Sequence, residues 1–231
     1  MCLLDSKNDN QIIVNQVLQL ARDFHSSDTT GHDWWHVYRV WQMAKHIAEQ
    51  EGAKLLVVEL AALLHDMDDH KMPDGDEENL PNARRILQGV SVQPSTANAV
   101  FEVIKQVSFK GAGVDTKPAS PEACIVQDAD RLDAIGAIGV ARAFAYGGSK
   151  RRQIYNPESK PNFHTSYEEY KSSTGSTLNH FYEKLFLLKD RLNTSTAKSI
   201  AEHRHCFMQQ FVEQFLEEWN MKDTDSKQTN Y

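Results

Sequence analysis

The segment VVELAALLHD, residues 57–66, is apolar on nearly every side until it closes on a histidine and an aspartate. A helix that is apolar all round is typical of one buried at the centre of a protein. Buried charge is costly unless it is paired or bound to an ion. The segment therefore predicts a central buried helix, and His65 and Asp66 at its end are candidate ligands of a cation.

The apolar residues on both sides of this segment recur at helical spacing. Ile12 to Phe24 forms one amphipathic stripe, and a second helix should begin after the N-cap Asp33 and end at Gly52. Further helices are predicted over residues 82–87, 95–107, 122–147 (one long helix or two abutting ones), 176–192 and 195–219. Because no alternating run long enough for a strand occurs, we expect an all-α protein. Residues 1–220 should form one domain of about eight to ten helices, followed by a disordered tail at 221–231.

The composition excludes several classes of protein. The 231 residues are 40% hydrophobic and 25% charged, as in ordinary globular proteins. The net charge of −7 repels nucleic acid, so a phosphate-bearing substrate would need local cations or a metal ion. Three widely spaced cysteines form no disulfide framework, and no signal peptide or stretch of 18 apolar residues is found. The sequence predicts a cytoplasmic protein with no membrane or nucleic-acid partner.

Two further residues could share an ion with the His65–Asp66 pair. His36 lies in the first turn of the second predicted helix, and Asp130 lies in VQDADRLDAIG, residues 126–136. Two imidazoles and two carboxylates from three helices would make a mixed nitrogen and oxygen site for a metal ion. Taken singly, each residue has a structural alternative: the pair could bond backbone at a helix end, and Asp130 could pair with an arginine.

Longer stretches around these residues point to one family. They are GHDWWHVYRV (31–40), ELAALLHDMDDHK (59–71), IVQDADRLDAIGAIGVAR (125–142), TLNHFYEKLFLLKDRLNT (177–194) and AEHRHCFMQQFVEQFLEEW (201–219). Over residues 10–220 the chain resembles the HD-domain superfamily of metal-dependent phosphohydrolases, in a branch that includes nucleotide-hydrolysing proteins. The resemblance implies an HD-domain helical bundle and a divalent ion held by His36, His65, Asp66 and Asp130.

The resemblance also separates the three aspartates of DADRLD. Its pattern places the metal ligand directly before the arginine, which selects Asp130. Asp133, one helical turn further, could orient a ligating histidine. Asp128 lies on another face of the helix, where a structural role is expected.

Proton transfer and phosphate binding need further residues. Related hydrolases carry an acidic residue at the position of Asp69, which would face the site if the helix of His65 continued, so we expect it to act as general acid or base. Asp68 should belong to an acidic loop that faces water, which is also the alternative for Asp69. Lys71 is a second candidate for the catalytic set. The phosphate-binding candidates are Arg39, Lys71, Lys110, His180, Lys184 and Arg204, of which the last three could instead be polar groups on a helix surface.

The expected activity is hydrolysis of a phosphate or pyrophosphate bond of a nucleotide, with a (deoxy)nucleoside triphosphate and pyrophosphate release favoured. No histidine lies between His70 and His164, which favours a single metal ion over the two-metal relatives. Mixed histidine and carboxylate ligands favour Mn²⁺, while Mg²⁺, Fe²⁺, Ni²⁺, Co²⁺ and Zn²⁺ stay open. The alternatives are a metal- and nucleotide-binding sensor without turnover, a nucleoside monophosphate phosphatase, and a helical scaffold without metal. The two C-terminal helices could form a homodimer interface.

Overall fold

Nine α-helices build the part of the chain that the computed structural model describes, which comprises residues 2–26, 33–69, 72, 74–107, 117–162 and 175–223. The described residues contain no strand. The helices are α1 (Cys2–Phe24), α2 (Trp34–Glu51), α3 (Leu55–Leu64), α4 (Pro81–Gly89), α5 (Pro94–Ile104), α6 (Pro121–Asp133), α7 (Gly136–Ser149), α8 (Asn179–Glu183) and α9 (Ser195–Trp219). The all-α prediction is confirmed. None of the helices in these ranges combines the length and apolarity needed to cross a membrane.

Helix α3 is the centre of the bundle. Every residue from Val57 to Leu64 is buried, and α3 packs against α1, α2, α5 and α6. Helix α9 covers the other side of α6 and also contacts α7 and α2. Burial of α3 on all sides follows from its apolar composition. Its C-terminal end, at His65, lies beside polar groups.

Both predicted boundaries of α2 are confirmed. The Asp33 side chain accepts the backbone N–H of His36 at 2.9 Å, as an N-cap does. Gly52 adopts a left-handed conformation with φ 72° and donates its N–H to the carbonyl of Ala48. The cap at Asp33 fixes where the first turn of α2 begins, and so fixes the position of His36.

The long segment 122–147 is two helices rather than one. Helix α6 ends at Asp133, and α7 begins at Gly136, whose φ is 77°. A Cβ at Gly136 would lie 3.0 Å from the Arg204 side chain, so this corner needs glycine for both conformation and space.

The prediction of one helix over 176–192 is wrong. The segment contains the short α8 and two 3₁₀ turns, Leu185–Leu187 and Lys189–Arg191, with a non-helical Lys184 (φ −139°) between α8 and the first turn. Leu185, Leu188 and Leu192 are buried. The spacing of three residues between Leu185 and Leu188 fits a 3₁₀ turn as well as an α-helix, so this part of the apolar pattern could not distinguish the two.

Candidate metal centre

Two histidines and an aspartate meet where α2 begins and α3 ends. His36 lies in the first turn of α2, His65 is the C-cap of α3, and Asp66 follows it. One potential ligand atom from each lies within 4.8 Å of the others. The Asp66 carboxylate is 3.2 Å from Nε2 of His36 and 3.3 Å from Nε2 of His65.

Asp130 joins this group from α6. Its Oδ1 lies 3.5 Å from Nε2 of His36 and 4.0 Å from Nε2 of His65. The side chain of Asp130 is 29% exposed, compared with 1% for His36 and 2% for His65. The histidines therefore form the buried floor of the group, and Asp130 lies at its open side. The four residues that the sequence singled out as metal ligands are thus brought together.

The tautomer of His65 makes the group suited to a cation. Its Nδ1 lies 2.8 Å from the carbonyl oxygen of Ala62, and because a carbonyl only accepts, Nδ1 carries the proton. In the neutral ring Nε2 then holds a lone pair, and it has no hydrogen-bond partner among the described residues. This lone pair faces the carboxylate oxygens of Asp66 and Asp130. The Nε2 lone pair and the carboxylate oxygens repel one another unless a cation lies between them. These atoms therefore fit a divalent metal ion.

Asp133 anchors the other side of the His36 ring. Its Oδ2 is 2.7 Å from Nδ1 of His36. Arg39 donates from Nε and Nη2 at 2.7 and 3.0 Å, and Arg142 of α7 donates from Nη1 at 2.9 Å. Burial raises the pKa of the Asp133 carboxyl, but the bonds from His36 and Arg39 outweigh it and hold that pKa well below its usual range. Asp133 is therefore an ionised group that fixes the orientation of His36.

The electrostatics of His36 reflect the same carboxylates. Burial and the charge of Arg142 lower the pKa of its imidazole, but hydrogen bonds to Asp133 and Asp66 raise it to about 9. The surroundings of the ring thus stabilise positive charge strongly. A metal ion that binds Nε2 would use the same field in place of the proton.

The residues predicted to bind phosphate lie in different parts of the structure and have different partners. Arg39 is engaged with Asp133, which raises the pKa of its guanidinium. Arg204 donates from Nη1 to the carbonyl of Leu132 at the end of α6, and burial lowers its pKa. His180 lies in α8 and Lys184 directly after it, both partly buried. Lys71 and Lys110 lie outside the described residues.

The residues that follow the HD pair differ from the prediction in one respect. Because α3 ends at Leu64, Asp69 is held by a turn, with its N–H bonded to the carbonyl of Asp66. The expectation that Asp68 faces water is wrong: it is 1% exposed and accepts the backbone N–H groups of Asn82 and Ala83. A run of acidic residues in a sequence usually indicates a solvent-exposed loop. The helix that Asp68 caps begins more than ten residues later in the chain, so no neighbouring residue signals the cap.

Arg142 is the residue near the candidate metal centre that the sequence analysis did not identify. It lies within the alanine-rich helix α7, and its partner Asp133 is on the preceding helix. An arginine in a helix is usually a surface residue, so only the corner between α6 and α7 shows its role.

The chain is similar to one known family and to proteins of other organisms. The model of the HD domain matches residues 34–135, a range that contains all four candidate ligands and Asp133. The Bacillus subtilis protein YpgQ is 40% identical over 200 residues, which is 86% of this chain and 90% of YpgQ. The protein L803 of Acanthamoeba polyphaga mimivirus is 32% identical over 194 residues, covering 71% of this chain and 79% of L803.

Solved structures give the same relationship. An HD-superfamily hydrolase from Bacillus thuringiensis matches with a TM-score of 0.70 and 39% identity, over 91% of this chain and 98% of the other. The structure of Bacillus subtilis YpgQ in complex with ADP matches with a TM-score of 0.71 and 35% identity, over 91% and 96% of the two chains. A protein from Lactobacillus plantarum has a TM-score of 0.81 at 38% identity, over 91% and 98%.

Proposed function

This chain belongs to the HD-domain superfamily of hydrolases, and from that premise we propose that it is a metal-dependent nucleotide phosphohydrolase. The bond it breaks is a phosphate or pyrophosphate bond of a nucleotide. The favoured reaction is cleavage of a (deoxy)nucleoside triphosphate with release of pyrophosphate, and Mn²⁺ is the favoured ion.

The observation that carries the proposal is the meeting of two Nε2 atoms and two carboxylates at one point. His65 Nε2 has a lone pair and no hydrogen-bond partner among the described residues. Asp66 and Asp130 approach the same histidine at 3.3 and 4.0 Å. In this proposal His36, His65, Asp66 and Asp130 hold the ion, and the mixed nitrogen and oxygen donors suit Mn²⁺ among several divalent metals.

In this proposal the ion activates water and substrate, and neighbouring groups fix the orientation of the two histidine ligands. A bound divalent ion lowers the pKa of a coordinated water and polarises a phosphoryl oxygen. Asp133 keeps the His36 ring turned so that Nε2 points at Asp66 and Asp130, and the Ala62 carbonyl does the same for His65. Both histidines are therefore oriented before any substrate binds, which reduces the cost of assembling the reacting groups.

Substrate charge is balanced locally although the protein is acidic overall. Arg39 and Arg142 bring two positive charges to the single carboxylate of Asp133. Burial lowers the pKa of Arg204, and the charge of that carboxylate acts in the opposite direction with a smaller effect. We assign Arg39 and Arg204 to the phosphate-binding side, together with Lys71, Lys110, His180 and Lys184. A cationic region beside the ion would attract a phosphate group against the net charge of −7.

Proton transfer is assigned to Asp69, with Lys71 as the second member of the catalytic set. Asp69 is partly buried and lies three residues beyond Asp66, to whose carbonyl its N–H is bonded. A Cβ at Gly75 would lie 2.1 Å from the Asp69 carbonyl oxygen, so the loop backbone packs closely against the backbone of Asp69. A carboxylate beside a metal-bound water or a leaving group can exchange a proton with it, and that is the role proposed for Asp69.

A nucleotide is the favoured substrate because of one relative. Bacillus subtilis YpgQ, which matches over 91% of this chain, was crystallised with ADP. Binding of a nucleotide by the relative supports a phosphate bond of a nucleotide as the target of this chain. It also suits the sensor alternative, which binds the nucleotide but releases no product.

The test is release of phosphate and pyrophosphate from a panel of nucleoside mono-, di- and triphosphates, with Mn²⁺ or with EDTA. The wild type is compared with Asp66→Ala. We expect pyrophosphate from triphosphates in Mn²⁺, none in EDTA, and a loss of at least about a hundredfold in the variant, because one ligand of the ion is gone.

The other outcomes separate the alternatives. Phosphate released from monophosphates alone would replace the pyrophosphatase with a nucleoside monophosphate phosphatase. Stoichiometric Mn²⁺ and nucleotide binding with no product from any nucleotide would favour the sensor. Turnover that survives in both EDTA and Asp66→Ala would rule out the proposed metal-dependent mechanism.

A further inference from the structure

Asp68 is a buried carboxylate two residues beyond Asp66. It is 1% exposed. Its Oδ1 accepts the backbone N–H of Asn82 at 2.9 Å, and its Oδ2 accepts that of Ala83 at 3.0 Å. An ionisable side chain is rarely so buried unless its oxygens are satisfied. Here both oxygens bond to the first turn of α4.

Helix α4 needs this partner because its own sequence provides no cap. The helix begins at Pro81, and the preceding Leu80 is left-handed (φ 52°, ψ 53°) with a hydrocarbon side chain that makes no cap bond. The first N–H groups of a helix have no acceptor within it. Asp68 supplies two acceptors and a negative charge at the positive end of the α4 dipole.

Other contacts hold the same turn from different directions. The Asn82 side chain donates from Nδ2 to the carbonyl of Met67 at 3.2 Å. The N–H of Met72 donates to the carbonyl of Asp69 at 2.8 Å, and Gly75 lies against that carbonyl. Residues 67–69 are thus tied to α4 and to the loop that precedes it.

The two carboxylates proposed as metal ligands differ in what supports their backbone. Asp130 lies inside α6, and its carbonyl accepts the N–H of Ala134. Asp66 lies beyond the last residue of α3, in a turn that covers residues 65–68. The position of Asp66 therefore depends on whatever fixes that turn.

We propose that Asp68 is a positioning residue for the metal centre: by capping α4 it fixes the turn that presents Asp66 to the ion. Asp68 does not touch the ion and acts through the backbone of residues 66–68. The inference rests on the proposed function, because it concerns the ligand geometry of the same ion.

Asp128 offers a matched control. It is 0% exposed, lies two residues from the other carboxylate Asp130, and caps a helix from a distance. Its oxygens accept the N–H groups of Asn193 and Thr194 and the Thr194 hydroxyl, at the start of α9. Because α6 itself holds Asp130, loss of this cap should cost stability without moving a ligand.

The experiment is titration calorimetry with Mn²⁺ on the full chain, for the wild type, Asp68→Asn and Asp128→Asn, with urea unfolding of each. Asparagine keeps one acceptor oxygen but turns an NH₂ group towards a second N–H. We expect the Mn²⁺ affinity of Asp68→Asn to fall by about tenfold or more, as for groups that orient metal ligands. The Asp128 variant should lose stability but keep its affinity within about twofold.

The outcomes are distinguishable. Unchanged Mn²⁺ affinity in Asp68→Asn would overturn the inference and leave the proposed function standing. Equal losses in both variants would also overturn it, because a general loss of stability would then explain the effect. A wild type that binds no Mn²⁺ would instead contradict the proposed function, and the inference with it.

Two milder variants keep the test decisive if either asparagine substitution fails to fold. Asp68→Ser keeps one side-chain oxygen that can accept an N–H of α4 but leaves the second N–H without its acceptor, so we expect a several-fold loss of affinity; an unchanged affinity overturns the inference. Glu51→Gln replaces Asp128→Asn as control. Glu51 is exposed and accepts the Ser195 hydroxyl and the Thr196 N–H at the start of α9.

Discussion

Asp133 receives as many hydrogen bonds as its carboxylate can accept. An ionised carboxylate offers about four lone-pair positions, and the donors are His36 Nδ1, Arg39 Nε and Nη2, and Arg142 Nη1. Three of these bonds meet at Oδ2. Asp133 therefore fixes the orientation of His36 and is also the counter-charge that Arg39 and Arg142 share.

Asp133→Asn should weaken Mn²⁺ binding by about ten- to a hundredfold. An amide has one acceptor oxygen for these donors, so the His36 ring loses its fixed orientation. The charges of Arg39 and Arg142 would also lose their counter-charge close to a dication, which acts in the same direction. Calorimetric titration of Mn²⁺ measures the change, and circular dichroism checks that the helices persist.

Glu59→Gln is the control for that substitution. Glu59 is 5% exposed and accepts the indole N–H of Trp41 at 3.1 Å, away from the candidate ligands. Burial raises the pKa of its carboxyl, with Lys45 and Trp41 acting in the opposite direction. Gln keeps an acceptor for Trp41, so Mn²⁺ affinity should stay at the wild-type value. An Asp133→Asn protein that binds Mn²⁺ as tightly as this control would show that Asp133 does not orient a ligand.

At the scale of the elements, the sequence predicted a helix correctly where residues within or beside that helix specify its ends or its burial. Asp33 and Gly52 bound α2 as predicted, and the all-round apolar character of α3 predicted its central place. The convergence of His36, His65–Asp66 and Asp130 was also predicted, although the resemblance to a known family carried that inference. The signals of α2 and α3 lie within a few residues of the features that they specify, whereas the convergence of the four ligands is not local.

What the sequence left undetermined depends on contacts between distant residues. The pairing of Arg39 with Asp133 and the cap of α4 by Asp68 join positions far apart in the chain. A charged side chain reads as solvent-facing until its partner is known. The break between α6 and α7 has a partly local cause. The sequence contains a glycine at position 136, but it does not show the positive φ of Gly136 or its contact with Arg204.

Gly136→Ala should destabilise the corner between α6 and α7 by about 1 kcal/mol or more. Alanine is strained at φ 77°, and its Cβ would lie 3.0 Å from the Arg204 side chain. Urea unfolding measures the loss. Gly89→Ala, at the end of α4 with nothing within 4 Å of its Cβ, should be neutral or slightly stabilising. Equal stability of the two variants would mean that Gly136 is not required at this corner.

At the scale of the whole molecule, the candidate metal centre joins segments that are distant in sequence. Its residues come from the start of α2, the end of α3 and the last turn of α6. Helices α2, α3 and α6 all pack against one another, with α3 at the centre of the bundle. An ion bound to all four residues would act as a cross-link in the core. The unfolded chain cannot present these four residues together, so ion binding and folding are thermodynamically coupled.

Mn²⁺ should therefore raise the melting temperature of the protein. An ion present at about a hundred times its dissociation constant stabilises the folded state by about 2.7 kcal/mol. In a chain of this size each kcal/mol raises the melting temperature by about 2–4 °C. Differential scanning calorimetry should show a rise of about 5–10 °C that EDTA reverses. Asp66→Ala, which lacks one carboxylate but keeps both histidines, should show little of it, while Glu59→Gln should show it in full. If Asp66→Ala gained as much as the wild type, the stabilising ion would bind elsewhere, and the link between this centre and the fold would be lost.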